Sequence, residues 1–224
     1  MSVVVVGSGK LARELLGSLD GGEFGEVVAW ADRAAAEGPC VVVHAGSGRE
    51  LGEVLAYCER SGSALVELAT GSDIETRTVG FPVVLCPNTN ILMLKFMAML
   101  ARSGPQFKDY AIRIVESHQA EKSSTPGTAV ALAEALGRGR DDIVSVRDPR
   151  EQQERLKIPP QHLGRHAYHR IEIEDQASSV VLETRVFGPA PYAEGLRRII
   201  AAIGANPLEN RRYNVVEFVE RGWL

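Results

Sequence analysis

The chain has 224 residues, 45% of them hydrophobic, and a formal net charge of −4. This length suits one large domain or two smaller ones with a divided core, and the composition is that of an ordinary soluble globular protein. The mild acidic balance argues against a general nucleic-acid binder, no apolar run approaches the roughly 20 residues of a membrane span, and the opening MSVVVVGSGK lacks the charged start of a secretory leader.

SVVVVGSG reads as a short buried strand ending in glycines, and KLARELLGSL then spaces its leucines for a helix. EVVAWADR and CVVVHAGSG predict a second and a third strand, and RELGEVLAYCERSG an amphipathic helix stopped by Gly62. SALVELATG and FPVVLCPN supply two more strands. Strands separated by helix-sized stretches imply right-handed crossovers and a parallel sheet. After Asn88 the rhythm changes. NILMLKFMAMLARSG predicts a helix closed by Gly104 and Pro105, and DYAIRIVESH a strand. Residues 138–165 are charged, punctuated by proline and without clear period, and read as an excursion or lid. AYHRIEIEDQ and SSVVLETRVF predict antiparallel strands of a second sheet, and PAPYAEGLRRIIAAIG a return helix with Pro191 near its start. Cys40, Cys58 and Cys86 are odd in number and form no CxxC pattern, which fits a reducing cytoplasmic setting.

Two constellations carry chemistry. The first is Gly7-x-Gly9-x-x-Ala12 at the first strand-to-helix turn. Glycines there let the backbone approach a pyrophosphate, and the helix N-terminus offers amide donors. Gly7, Ser8, Gly9, Lys10 and Leu11 are therefore candidates for binding a dinucleotide. An acid at the end of the second strand would hold the adenosine ribose, and Asp32 occupies that place. Asp32 favours NADH, whereas the adjacent Arg33 suits the 2′-phosphate of NADPH, so both cofactors stay open. The loops Leu68-Ala69-Thr70-Gly71 and Cys86-Pro87-Asn88-Thr89 follow predicted strands at the same sheet edge and are the remaining cofactor candidates.

The second is ESHQAEKSSTPGTAVALAEAL, residues 116–136. His118 ends a strand, Lys122 follows, and Gly127-Thr128 opens an alanine-rich helix whose first amides lack helical partners. A carboxylate fits such a turn, with Lys122 as a second positive point. Histidine is the residue type here whose ordinary range spans neutral pH, so His118 is the first candidate for proton donor, with Lys122 as the alternative. Gln119, Lys122, Gly127 and Thr128 are the substrate-binding candidates.

ESHQAEKSSTPGTA resembles the pattern Glu-x-His-His-x-x-Lys-x-Asp-x-Pro-Ser-Gly-Thr-Ala of the dihydrodipicolinate reductase family. GSGKLA is similar to that family's cofactor turn, ATG to its Gly-Thr-Thr-Gly loop, CPNTN to its Ala-Pro-Asn-Phe-Ser stretch and YAEGLRRIIAAI to its return helix. The resemblance implies an α/β chain with a Rossmann-type parallel-sheet domain from residues 1–89 and 190–224. It also implies a smaller α+β substrate domain, residues 90–189, whose sheet makes a homotetramer. NADH or NADPH would reduce a cyclic imine or enamine carboxylate such as 4-hydroxy-tetrahydrodipicolinate, with His118 as acid/base group, Lys122 as its partner and Gly127-Thr128 as carboxylate clamp. The sequence departs from the pattern at Gln119, at Ser124, by one residue between Pro126 and Gly127, and near Pro189, where an arginine is expected. A relative that reduces another cyclic imino acid, a non-catalytic NAD(P)-binding sensor and an amino-acid dehydrogenase all stay open. His162, His166 and His169 lack an aligned acid and read as surface or subunit-edge histidines rather than metal ligands.

Overall fold

Four consecutive valines, Val3–Val6, form strand β1, and none of them has exposed surface. A parallel strand covered on both faces is apolar throughout rather than alternating. The same holds for most of β3 (Val41–His44) and β4 (Ala64–Glu67). With β2 (Val27–Ala29), β5 (Val83–Leu85) and β10 (Arg212–Asn214) they build a six-stranded sheet in the order β10-β5-β4-β3-β1-β2, parallel throughout. This computed structural model describes residues 1–19, 22, 24–36, 38–69, 71–188 and 192–224. The chain divides into two compact units, Met1–Leu94 with Tyr192–Leu224, and Lys95–Pro191.

In the first unit, helix α1 (Lys10–Ser18) follows β1 and α2 (Leu51–Ser61) follows β3. Leu51, Val54, Leu55 and Cys58 of α2 join Val4, Val42, Leu65 and Phe81 in one buried cluster. Each large side chain so buried stabilises by roughly 1.5–3 kcal/mol. Gly62 ends α2 in the left-handed region, φ 67°, and its amide closes on the Cys58 carbonyl. The chain leaves the sheet through α3 (Ile91–Ser103) and returns through helix Ala193–Ala205, which precedes β10 and helix Val215–Glu220. That return helix is locked to the loop after β5. The Thr89 hydroxyl donates to the Tyr192 carbonyl at 3.0 Å, and a Cβ on Gly195 would overlap the Thr89 carbonyl oxygen. Glycine is required there by close approach rather than by φ.

The second unit carries a four-stranded sheet, β7-β6-β8-β9. Its strands are β6 (Ala111–His118), β7 (Ile143–Val146), β8 (His166–Glu174) and β9 (Ser179–Phe187). β8 runs antiparallel to both β6 and β9, and β7 runs parallel to β6. Alternation along β6 and its register with β8 put Ile114, Glu116, His118, His169 and Ile171 on one face. Val115, Ser117 and Tyr168 point to the other, where Val115 and Tyr168 cluster with Val146, Leu156 and Ile158. Helix α4 (Gly127–Ala135) follows β6, and α5 (Pro149–Glu154) follows β7. With these elements in place, the helix Ala193–Ala205 is α6 and Val215–Glu220 is α7.

Residues 138–165 are therefore not an unstructured excursion. They contain β7 and α5, and Val146, Gln152, Leu156 and Ile158 are buried. Asp148 caps α5 by accepting from the Glu151 amide at 2.8 Å. No helix among the described residues is long and apolar enough to cross a membrane.

Candidate active site

Of the candidate cofactor residues, Gly7 to Leu11, Leu68 with Ala69, and Cys86 to Thr89 follow β1, β4 and β5 at the carboxyl edge of the parallel sheet. β1 lies between β2 and β3, so the order of connection reverses beside it. Open parallel sheets bind ligands at such a reversal. Gly7 has φ 122°, and a Cβ there would sit 2.7 Å from the Ala45 carbonyl oxygen, so any side chain would meet the loop after β3. Gly9 is the N-cap of α1 with no side-chain cap, Ser8 precedes it, and Lys10 and Leu11 begin the helix, whose first turn holds no acid. An N-terminus kept clear of side chains and carboxylates is free to receive an anion.

Asp32 does not end a strand. β2 stops at Ala29, and Asp32 and Arg33 lie in a 3₁₀ helix, Trp30–Ala35. The Arg33 guanidinium sits 4.2 Å from the Trp30 ring centroid and donates to the Trp30 carbonyl at 2.8 Å. Leu68 and Ala69 follow β4, and the Ala69 amide donates to Glu67 at 2.8 Å. Glu67 is itself fully buried against His44, whose Nδ1 is 2.9 Å from both carboxylate oxygens. This pair ties the ends of β3 and β4 together beneath the edge. Cys86, Pro87, Asn88 and Thr89 follow β5. The Cys86 thiol donates to the Asn88 carbonyl at 3.3 Å, and the Asn88 side chain accepts from the Asn90 amide at 2.8 Å. Thr70 and Pro189 lie outside the described residues.

In the second unit the candidate residues lie at the end of β6 and in the loop that follows it. Glu116 and His118 are two residues apart on one strand, hence on one face, and His118 Nδ1 donates to Glu116 Oε2 at 2.9 Å. Arg147, just beyond β7, grips the same carboxylate with both terminal nitrogens, at 2.6 and 3.2 Å. Its Nε donates to the Lys122 carbonyl at 2.8 Å, so one guanidinium fixes both the carboxylate and the loop that carries Lys122. The Glu116 side chain has no exposed surface, whereas that of His118 is 14% exposed, so an incoming molecule can meet the imidazole but not the carboxylate. Burial alone would raise the Glu116 carboxyl, but hydrogen bonds from His118, Arg147 and Ser145 and the charge of Arg147 hold it at about 2. Glu116 is thus a carboxylate at any ordinary pH and cannot be a proton donor itself.

The backbone of His118 is held as firmly. Gln152 of α5 donates to the His118 carbonyl at 2.7 Å and to the Ser117 hydroxyl at 3.0 Å. That hydroxyl lies 2.9 Å from His166 Nε2, while His166 Nδ1 lies 3.1 Å from the His162 carbonyl. Nδ1 must donate to a carbonyl, so the hydroxyl donates to Nε2. His166 and His169 are buried, contrary to their reading as surface groups, and both rings lie near His118, at centroid distances of 6.4 and 5.9 Å. Burial and the neighbouring His118 push His169 down to about 4. His169 Nδ1 pairs with the Thr184 hydroxyl at 3.0 Å, and its Nε2 is buried without a hydrogen-bond partner. His162 instead stacks on Phe187 at 4.8 Å. Among the described residues, no group of three or more His, Cys, Asp or Glu is placed to hold a metal ion.

Lys122 closes a turn by donating its amide to the Gln119 carbonyl at 3.0 Å, and Gly127 and Thr128 begin α4. The N-cap of α4 is Pro126, with no side-chain cap. Arg147 and Glu116 as its partner were not singled out in the sequence, and His166 and His169 were singled out as surface or subunit-edge groups rather than as buried ones. Alternation was the available signal: Ile112, Ile114, Glu116 and His118 repeat every second residue, as do His169, Ile171 and Ile173. A charged or polar group in an apolar row implies a buried partner.

A six-stranded parallel sheet and a four-stranded mixed sheet, the latter with an acid-gripped histidine at one strand end, define a two-unit α/β protein. Comparison with known proteins gives the family. The model of the dihydrodipicolinate reductase C-terminus matches residues 90–218, and the chain belongs to that family. It is 28% identical over 143 residues to 4-hydroxy-tetrahydrodipicolinate reductase 1, chloroplastic, of Arabidopsis thaliana, covering 59% of this chain and 41% of the relative. It is 35% identical over 113 residues to the probable 4-hydroxy-tetrahydrodipicolinate reductase 2, chloroplastic, of Oryza sativa subsp. japonica, covering 47% of this chain and 35% of the relative. The matched stretch thus spans less than half of each relative's length. The fold is similar to dipicolinate-bound dihydrodipicolinate reductase from Paenisporosarcina sp. TG-14, with TM-score 0.68, 16% identity and coverage of 97% of this chain and 98% of that one.

Proposed function

We propose that the chain is an NAD(P)H-dependent reductase of the dihydrodipicolinate reductase type. It reduces a cyclic imine or enamine carboxylate such as 4-hydroxy-tetrahydrodipicolinate, on the route to diaminopimelate and lysine. The observation that carries this reading is His118, reachable by a ligand, held by a permanently ionised Glu116 and followed by Lys122 and the uncapped start of α4. The cradle at Gly7 and the acid-free first turn of α1 fit a dinucleotide pyrophosphate.

The bound nicotinamide would supply hydride. Gly7, Ser8, Gly9, Lys10 and Leu11 would hold the pyrophosphate; Asp32 or Arg33 would meet the adenosine ribose; Leu68, Ala69, Cys86, Pro87, Asn88 and Thr89 would take the rest of the cofactor. Lys122 and the first amides of α4, at Gly127 and Thr128, bind a substrate carboxylate and orient it, with Gln119 alongside. His118 gives up the proton that the reduced double bond requires. The protein assembles as a homotetramer through the sheet of the second unit and works in the cytoplasm.

The test is cofactor oxidation, with NADH and NADPH separately, across cyclic imino acids including 4-hydroxy-tetrahydrodipicolinate. Turnover should appear, and His118→Ala should lower kcat by roughly 10²-fold or more. Binding of NAD(P)H without turnover of any such acid, or unchanged kcat in His118→Ala, would overturn the reading. Light scattering reads the assembly.

A further inference from the structure

The imidazole of His118 has two nitrogens, and the structure commits them to different work. Nδ1 is 2.9 Å from a carboxylate oxygen of Glu116. That carboxylate is buried and ionised, so it can only accept, and Nδ1 must carry hydrogen. Glu116 is itself immobilised by two contacts from Arg147, whose remaining Nε is spent on the Lys122 carbonyl. We infer that Glu116 and Arg147 are positioning residues that act through His118, fixing the tautomer in which Nδ1–H is permanent and Nε2 is the proton-exchanging atom. The catalytic consequence rests on the reductase reading above; the tautomer does not.

Stability does not account for this arrangement. A buried ion pair contributes little net stability over an apolar replacement of equal volume, whereas a single missing partner leaves a buried charge. Its use lies in defining one geometry. Once hydride has added to one end of the substrate double bond, the imidazolium would donate its Nε2 hydrogen to the other end, which takes up the displaced π pair; Nε2 keeps the N–H pair and water restores the proton. Throughout, Nδ1–H stays on Glu116. The ionisable groups around the imidazole are Glu116 on its own strand, Arg147 beyond β7, and His166 and His169 on β8. Burial lowers the proton affinity of both β8 histidines, so neither competes as the acid near neutrality. The carboxylate is the one group of this set that favours protonated His118, and removing its charge should shrink the fraction of His118 that carries the transferable proton near neutrality.

Imidazole ¹⁵N spectra of the full chain, assigned with His118→Gln, read the tautomer directly. Wild type should show protonated Nδ1 and bare Nε2 once His118 is neutral, and Glu116→Gln should lose that preference. In kinetics, Glu116→Gln should lower kcat roughly 10-fold or more, within the about 10²–10⁴ that an acid contributes, while KM stays within about 2-fold. The basic limb of its pH–rate profile should move down. Arg147→Lys, which keeps a cation at the carboxylate, should retain the tautomer and the wild-type limb; Arg147→Met should shift both. A bare Nδ1 in wild type overturns the inference, as does a limb unmoved in Glu116→Gln. The expected tautomer in a protein that turns over no substrate upholds the inference and defeats the reductase reading instead.

Discussion

Replacing His169 by asparagine should flatten one stretch of the protein's stability profile. The imidazole is 2% exposed, and burial with the nearby His118 lowers it from 6.5 to about 4. The folded value lies below the unfolded one. Under about pH 6.5 the unfolded chain takes up a proton that the native state refuses until about pH 4, so stability is lost as pH falls through that window and is complete above it. At about 1.4 kcal/mol for each pKa unit, the loss is roughly 3 kcal/mol, a visible part of a usual total of about 5–15 kcal/mol. Asparagine keeps a polar atom near Nδ1 for Thr184 and removes the titration. Both tryptophans, Trp30 and Trp223, belong to the first unit, so tryptophan fluorescence would report the wrong half of the molecule. The suitable assay is hydrogen exchange of β6 and β8 peptides in urea, at fixed protein concentration, from about pH 7.5 to about pH 4.5. His166 is also lowered but remains in both proteins and cancels. Wild type should lose roughly 3 kcal/mol more than the variant across that range, and parallel curves would refute the assignment of a buried neutral imidazole.

Gly195→Ala drives a methyl group onto the Thr89 carbonyl, and α6 must move away from the loop after β5. Overpacking of this kind should cost about 3 kcal/mol or more and lower Tm by roughly 6–12 °C, read by the fluorescence of Trp30 and Trp223 in the same unit; a Tm within about 1 °C of wild type would disprove the close approach. The thiols of Cys58 and Cys86 are buried, with Cys58 pushed up to about 12 and Cys86 also raised by burial. A disulfide reagent near pH 8 should modify them at least about 10²-fold more slowly in the native protein than in denaturant, and equal rates would contradict the packing around them.

The parallel sheet was legible because its strands are buried on both faces. VVVV and CVVVH can be little else between glycine-rich turns. β10 was missed, since Arg212-Tyr213-Asn214 has one buried residue and no apolar run; it is a strand only because β5 offers an edge. Residues 138–165 were misread for a related reason. β7 is an edge strand with the pattern Ile-Val-Ser-Val, of which only Val146 is buried, and the buried residue of α5 is the polar Gln152. In the site, His118 and Lys122 were legible from local spacing. Arg147 was not, because it reaches Glu116 across two paired strands from 31 positions away. The end of β2 shows the opposite failure: a local pattern suggested a strand through Asp32, while the backbone turned into a 3₁₀ helix at Trp30.

Where the sequence departs from the family pattern bears on what those departures do. Gln119 is half-buried and Ser124 exposed, and both lie in the irregular stretch between β6 and α4. The groups that hold His118 are Glu116, Arg147 and Gln152, from β6, the end of β7 and α5. The device that orients the imidazole is therefore built from a different part of the chain than the residues that vary. Under the proposed function, a glutamine at residue 119 and a serine at residue 124 alter which acid is recognised while leaving proton delivery intact.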